Sequence, residues 1–394
     1  MAGAGAGRLR RASTIVCYWR GKQLVFENYF SRRCITADPA ITLLLSLFDR
    51  WCSPAELFRG ASPRQIRKTY RLIDGLTQHT FLLREGSIEA ERDACFARAW
   101  KSWLPHAGFF HFGSKDVSFR SSEREIRAML RRFLEEGSQP SFFKSDEKLA
   151  RVQLASPLSS PAVPEAGCAT TRQAGLHRGG SGTDAAALFR VLLARRTHRK
   201  FSRQSLSFQA LSQLLFYAWG VTAYARVPLL GAVPLKTSPS GGARHPIEVY
   251  VLALRVSGLP AGLYHYLPRD HALERIRAGR VGGCAVRYCA GQRFTANAAA
   301  LFIMSAVMER NRWKYRMARA YRVLLTEAGH QCQVFCLVAT AIGLAPFCTM
   351  ALADSAIEQD IGLDGINDLP LYVAGVGHPV KPKANAITPI FQLL

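Results

Sequence analysis

The chain has 394 residues, 48% hydrophobic and 20% charged, a balance that excludes a disordered chain and leaves room for two or three domains with ample core. Its 52 Lys+Arg against 28 Asp+Glu give a net charge of +24, which favours polyanions: nucleic acid, an acidic peptide or a phosphorylated cofactor. No apolar run reaches the length of a membrane span and residues 1–13 carry no apolar stretch after their arginines, so neither a membrane anchor nor a secretory signal is expected, and the expected location is the cytoplasm.

Residues 18–30 predict short strands around a turn at Gly21 and Lys22. Three short helices follow. Asp38 and Pro39 open the first, which carries Leu43, Leu44, Leu47 and Phe48. Ser53 with Pro54 and Glu56 opens the second, and Ser62 with Pro63 and Gln65 the third; both fit a capping box with Pro at the first helical position. The third helix would bury Ile66, Tyr70 and Ile73 and present Arg64, Arg67, Lys68 and Arg71 on another face. With the extended run 80–84 these elements predict a winged-helix-like module. A basic third helix suits DNA binding in a major groove. It suits equally a solvated face on a packing helix, or a peptide-binding module that adds a strand to its wing.

A further helix is expected from Ser122, capped with Glu125, burying Ile126, Met129, Leu130 and Phe133 and stopping at Gly137. Residues 154–184 are rich in Pro, Ser, Gly and Ala without periodicity and read as a linker. The expected organisation is therefore an N-terminal winged-helix-like or peptide-binding region (1–153), a linker (154–184) and a second domain (185–394). In the latter, helices at 185–195 and 207–219 precede strand-like runs at 247–254, 262–267, 299–308 and 371–376. No GxGxxG follows a strand, so the pattern is α+β and not a Rossmann fold. Apolar residues recur every three or four positions from Ala320 to Ile342, until Gly343, predicting a long spine helix. The ten cysteines form no CxxC pair; Cys332 and Cys336, one turn apart on that helix, read as buried thiols of a reducing compartment, with no metal site expected.

Chemistry-bearing residues fall into separate segments. Arg195, Arg196, Thr197 and Arg199 leave a helix in a basic turn, and guanidinium groups match phosphate oxygens bidentately. A loop of Pro239, Ser240, Gly241 and Gly242 precedes a strand, and small residues there let backbone approach a flat ring closely. Lys314 and Tyr315 stand at the polar entrance of the spine helix; alone, such a dipeptide suits a solvated loop or a proton-transfer pair. Residues 343–351 and the Val376-Gly377-His378-Pro379 turn with Lys381 and Lys383 complete the set.

RRTxRxF, PSGGARHPxExY, KYR…YR…EAGHxxQ, AIGL and VGHP, in this order over about residues 185–383, resemble the nitroreductase superfamily, and within it the SagB-type dehydrogenases, which oxidise azoline rings in thiazole- and oxazole-modified peptides. The resemblance implies an α+β, FMN-binding homodimer: a mixed sheet flanked by helices, with flavin sites at the subunit interface. It implies that Arg195, Arg196, Thr197 and Arg199, with Lys381, hold the ribityl-phosphate. Pro239, Ser240 and Gly241 would line the isoalloxazine, and Thr349, Met350 and Ala351 would bring a backbone N–H to its reactive edge. Lys314 and Tyr315 match the catalytic Lys-Tyr pair. The sequence departs from the family pattern in Thr197 (Ser is usual), His245 (Tyr is common), Arg316 (Gly usually follows Lys-Tyr) and Val334 (often Asn).

The implied activity is FMN-dependent oxidation of thiazoline or oxazoline rings to azoles on a ribosomally made precursor peptide, beside a cyclodehydratase partner, with dioxygen reoxidising the flavin. Neither membrane nor nucleic acid is then an expected partner. A lysine near its ordinary pKa of about 10.4 is a poor base at neutral pH, and Arg316 and Arg319 are expected to depress Lys314. The alternatives are an NAD(P)H-dependent nitro- or quinone reductase on the same fold and a winged-helix DNA-binding regulator.

Overall fold

The computed structural model describes residues 7–58, 62–99, 105–113, 123–157, 182–279 and 281–380. Two compact units emerge, Met1–Phe119 with Met317–Arg319, and Arg120–Arg316 with Ala320–Leu394. Among the described residues no helix is long and apolar enough to cross a membrane.

The first unit begins with β1 (Leu9–Arg11) and an antiparallel meander of β2 (Ile15–Arg20), β3 (Gln23–Asn28) and β4 (Arg33–Thr36), whose first turn falls at Gly21, as predicted. Then come α1 (Ile41–Ser46), a 3-10 turn at Pro54–Phe58, and α2 (Pro63–Gln78). Ser62 and Gln65 close the expected capping box on α2: the Ser62 N–H donates to Gln65 Oε1 at 3.0 Å. Ile73 and Leu76 are buried, while Arg64, Arg67, Lys68 and Arg71 are exposed. The expected second helix is only the 3-10 turn. The expected wing is a single strand, β5 (Leu82–Arg84), paired antiparallel with β1. The hairpin precedes the helices instead of following them. Two helices follow, α3 (Ile88–Ala99) and α4 (His106–Gly113).

The second unit starts earlier than the sequence suggests. It takes in α5 (Glu123–Glu136) and β6 (Arg151–Gln153), which the sequence reading groups with the N-terminal region. The signal was too short to see: β6 has three residues and becomes a strand by pairing with a later one. Of the expected linker, 158–181 lies outside the described residues. Next come α6 (Gly182–Ala194), α7 (Phe208–Trp219), a hairpin of β7 (Ala223–Val227) and β8 (Gly231–Leu235), then β9 (Ile247–Ala253), β10 (Gly262–Leu267) and β11 (Ala272–Ala278). The chain continues through α8 (Gly282–Tyr288), β12 (Ala300–Val307), α9 (Met308–Lys314), α10 (Ala320–Ala341), β13 (Ala345–Thr349), α11 (Asp354–Ile361) and β14 (Asp368–Gly377).

Seven strands form one sheet in the order β13-β14-β12-β9-β10-β11-β6. The expected mixed sheet is antiparallel in every described pairing. Short connections join β9 to β10 and β10 to β11, and hairpins force that direction. Period-2 alternation explains why both faces are apolar. Val249, Val251, Phe302 and Met304 point to a layer that holds Leu211, Leu215 and Trp219 of α7 and Leu324 and Phe335 of α10. Their neighbours Tyr250, Leu252, Leu301 and Ile303 meet Tyr288 of α8 and Ile357 of α11 on the other side. The spine helix thus lies flat on the central strands. It ends where predicted, with Gly343 at φ +75° turning the chain into β13.

Candidate active site

The chemistry-bearing segments gather at two places along α10. At its N-terminal half, the loop between β8 and β9 folds over Val323 and Glu327. Ser240 Oγ donates to Glu327 Oε2 at 2.9 Å, and the Gly241 N–H reaches the same oxygen at 3.4 Å. Ser240 Oγ also accepts the His245 N–H at 2.8 Å. A single buried carboxylate therefore shapes the loop. Burial pushes Glu327 up to about 7, opposed by its bonds from Ser240 and Gly241; its second oxygen has no partner among the described residues.

Lys314 and Tyr315 close on this loop from the end of α9. Lys314 Nζ lies 3.5 Å from the Gly242 carbonyl oxygen and 5.6 Å from the Tyr315 ring centre. Gly242 has φ +61°, and a Cβ there would sit 2.5 Å from the Tyr315 hydroxyl and 2.7 Å from Lys314 Nζ. A Cβ on Gly241 would meet Val323 at 2.5 Å. Contact restricts both positions, and at Gly242 the left-handed dihedral adds to it.

The cation beside the lysine is not the expected one. Arg316 turns away to Glu136, over the Phe133 ring at 3.9 Å. Arg244 lies beside the pair, fully buried between Phe142 and Trp313 at 4.6 and 4.9 Å from their ring centres. It donates to the Arg310 carbonyl at 3.2 Å and to Gln139 Oε1 at 3.2 Å. Burial first, and Arg244 second, hold Lys314 below the ordinary lysine range. Burial raises Tyr315 while Arg244 opposes. Beneath them Arg310 pairs with Glu248 at 2.5 Å, and Glu248 bonds His265 at 2.8 Å. His265 in turn faces Glu274 at 3.3 Å. His245, buried and bonded through Nε2 to the Pro234 carbonyl at 2.8 Å, is pushed down to about 4 and stays neutral. Arg244 and Glu327 are the residues whose roles sequence reasoning missed. The PSGGARHP and EAGH segments contain them, but only tertiary contact shows what they hold.

At the C-terminal half of α10 lies the basic turn. The His198 N–H donates to the Pro346 carbonyl at 2.9 Å, and Phe201 bridges to Pro379. Arg195 is half-buried; Thr197 and Arg199 are exposed, with the Arg199 guanidinium 5.9 Å from the Phe294 ring centre. Arg196 is partly engaged: its Nη1 donates to the Leu193 and Arg195 carbonyls, both at 2.8 Å, closing the end of α6. After β13, Thr349 Oγ1 accepts from Gln292 Nε2 at 3.0 Å and from the Ala351 N–H at 3.1 Å. The Ala351 amide is thus occupied within its own loop, and Met350 is exposed. Pro239 is exposed and Ser240 half-buried. Lys381 and Lys383 lie outside the described residues.

So the structure joins Pro239, Ser240, Gly241, Lys314 and Tyr315 in one cluster, and Arg195, Arg196, Thr197 and Arg199 with the segment ahead of Thr349 in another. The reference points are 9 residues apart on α10, from Glu327 to Cys336 beside Cys348, roughly 14 Å at about 1.5 Å per residue.

The profile of the nitroreductase family matches residues 192–378. A Methanocaldococcus jannaschii protein classed as a nitroreductase is 33% identical over 191 residues, 48% of this chain and 90% of the relative. The chain belongs to the nitroreductase family. Both clusters lie inside the matched range. Two other similar proteins are named for processing, one of trifolitoxin and one of microcin B17. The trifolitoxin-processing protein TfxB of Rhizobium leguminosarum bv. trifolii is 32% identical over 163 residues, covering 40% of this chain and 44% of the relative. The microcin B17-processing protein McbC of Escherichia coli is 32% identical over 181 residues, covering 44% and 63%. The chain thus spans about half the length of these two relatives.

Proposed function

We propose that the protein is an FMN-dependent peptide dehydrogenase of the SagB type, oxidising azoline rings to azoles in a ribosomally made precursor. The observation that carries this reading is the closure of Lys314 and Tyr315 on a glycine loop with no room for a side chain. Its peptide-processing relatives support the substrate class, and by the same likeness a cyclodehydratase is the partner that supplies the azoline.

The residues present fit FMN. Gly241 and Gly242 offer backbone alone to a flat ring, and the Arg195–Arg199 turn offers exposed and half-buried cations for a phosphate. In this reading Ser240, Pro239 and Gly241 line the ring. Arg195, Thr197 and Arg199 hold the phosphate, Arg196 assists through its remaining nitrogens, and Lys381 completes that site. Thr349, Met350 and Ala351 flank the ring edge, with Thr349 ordering the loop. Bound flavin supplies the two-electron acceptor for the hydride leaving the azoline Cβ.

Lys314 takes the Cα proton. Its depressed pKa makes it the base, whereas the raised Tyr315 keeps its proton and orients the ammonium–amine couple. Burial first, and the like charge of Arg244 second, disfavour the charged form of the lysine. Glu327 holds Ser240 and Gly241 where the ring must lie.

The two clusters are united by a second copy of the chain. α6 carries Leu188, Phe189, Leu192 and Leu193, exposed by 46% to 61%, an apolar face too large for a surface helix to leave in water. A homodimer covers it and brings one copy's basic turn to the other's glycine loop. Light scattering should show a dimer, and Phe189→Asp should give a monomer that no longer retains FMN; a monomeric parent with full flavin would refute the arrangement.

In the first unit, β5 has β1 as its described partner, and a cavity of about 420 Å³ lies beside it, lined by Asp74, Thr77, Thr80, Leu82 and Glu89 among others. A precursor strand adds to β5 while the exposed Arg64, Arg67, Lys68 and Arg71 attract an acidic leader. Charge reversal at Arg67 and Arg71 should weaken precursor binding in a salt-dependent way. Duplex DNA binding without peptide binding would instead support a regulator.

The decisive experiment is purification followed by assay. The protein should be yellow, release FMN on denaturation and convert azoline peptide to azole. The Methanocaldococcus jannaschii relative favours a second reading, a nitro- or quinone reductase; NAD(P)H consumption with a nitroarene and no azole formation would establish it.

A further inference from the structure

Three thiols meet at the C-terminal half of α10. Cys332 and Cys336 stand four residues apart on one face of the helix, and Cys348 reaches them from β13 after the chain reverses at Gly343. Their sulfur atoms all lie within 4.8 Å of one another. Cys332 is 2% and Cys336 5% exposed, in the apolar layer with Phe335, Ala339, Leu344 and Ala374. The Tyr372 hydroxyl donates to Cys348 Sγ at 3.2 Å from the neighbouring strand β14.

We propose that Cys332, Cys336 and Cys348 form a three-sulfur site for a thiophilic d10 cation, Cu(I) in particular. Packing alone would place buried thiols as small hydrophobes with no reason to converge. A metal–sulfur bond of about 2.3 Å in trigonal geometry separates the sulfurs by about 4.0 Å. The trio therefore closes on an ion by shifts under about 1 Å. Among the described residues the cluster has no fourth His, Cys, Asp or Glu. That argues against zinc, whose structural sites are closed by four ligands, and for Cu(I), which soft thiolates select and which accepts three. Tyr372 orients the Cys348 sulfur from outside the ligand set, the usual place for such a hydrogen bond. Each thiol that ligates as thiolate releases its proton to solvent. The site adjoins the basic turn, and Cys348 immediately precedes Thr349, so an ion held there restrains that loop.

The test uses full-length protein carrying Cys17→Ser, Cys34→Ser, Cys95→Ser and Cys168→Ser, the first three being exposed thiols. Under anaerobic conditions Cu(I) is offered as its bicinchoninate complex. One Cu(I) per chain should be withdrawn from the chelator, with an X-ray absorption shell of three sulfurs. Adding Cys336→Ser or Cys348→Ser should weaken retention by at least the ~10–100-fold that losing an outer partner alone costs, while Cys284→Ser should change nothing. No withdrawal of copper overturns the proposal. So does a shell with fewer than three sulfurs, or equal retention by a Cys348→Ser protein with unchanged circular dichroism. If the serine variants do not fold, the sulfur count in the parent decides alone. Flavin content is read on the same sample: yellow protein without copper uptake refutes this site only, and copper uptake by a colourless protein refutes the FMN reading only.

Discussion

The two halves of α10 are built on different principles. Around its N-terminal half the glycine loop is held by side chains: Ser240 and Gly241 bond Glu327, Lys314 lies against the Gly242 carbonyl, and Arg244 sits between two aromatic rings. At the C-terminal half Thr197 and Arg199 lie in solvent, and the turn is fixed by backbone bonds to Pro346 and His378. In the proposed reading the contrast separates a preorganised reaction centre from an open anchor. A proton-transfer pair must be aimed before substrate arrives, whereas a phosphate brings its own charge to order the cations that bind it.

That contrast can be broken most severely at Lys314. Lys314→Ala should retain flavin yet lower azole formation by ~10²–10⁴-fold, the range for loss of a general base; turnover and bound FMN measured together decide it. In the parent, kcat/KM should rise with pH as the lysine loses its proton, along a curve displaced below the ordinary lysine range because burial and Arg244 disfavour the charged form.

Gly242→Ala attacks the same half without removing a functional group. The added carbon collides with both the Tyr315 hydroxyl and Lys314 Nζ, and displacement of reacting groups by about 1 Å costs on the order of 10² in rate. Thermal unfolding should fall modestly, since a left-handed L-residue costs roughly 1–2 kcal/mol. At the open half, Arg199→Ala should leave the rate of flavin-saturated enzyme unchanged. FMN should bind ~10–100-fold more weakly, consistent with one charged hydrogen bond of about 1.5–3 kcal/mol.

A smaller effect sharpens the electrostatic side. Glu327 is raised from 4.5 to about 7 by burial, so between those values the folded state binds more protons than the unfolded one. Its contribution is fully present below pH 4.5 and is lost as pH rises through about 7. Stability should therefore decline across that window by at most about 1.4 kcal/mol per pH unit, and Glu327→Gln should flatten the slope in denaturant titrations. The smallest effect belongs to Arg316→Ala. Its guanidinium ends on an exposed carboxylate away from the pair, and the rate should stay within roughly twofold.

Much of the second unit was legible because its signals are long or rigid. The spine helix follows its apolar periodicity to Gly343, and β9, β10, β12 and β14 match the expected runs to within three residues. Short elements escaped: β6 and β13 are three and five residues long and acquire strand identity from their neighbours. In the first unit the Ser62 cap was readable, being purely local, but the wing was not, because whether 80–84 folds back as a hairpin or pairs with β1 depends on residues seventy positions away. The site shows the same division. Lys314 and Tyr315 were visible as a dipeptide, whereas the neighbour that tunes them is Arg244, fixed by Gln139, Phe142 and Trp313. The third thiol, Cys348, joins Cys332 and Cys336 only after the chain reverses.

The segment 123–153 has a consequence for how such a protein is assembled by gene fusion. It gives the sheet its outer strand, supplies Gln139 to Arg244 and offers the Ser141 carbonyl to Arg310 at 2.7 Å. A recombination joint placed in the Pro- and Gly-rich stretch, where composition alone would invite it, cuts these three supports away from the Lys314–Tyr315 cluster. A joint ahead of Glu123 preserves them. A joint at that point keeps the outer strand and both polar supports on the same piece of chain as Arg244 and Arg310.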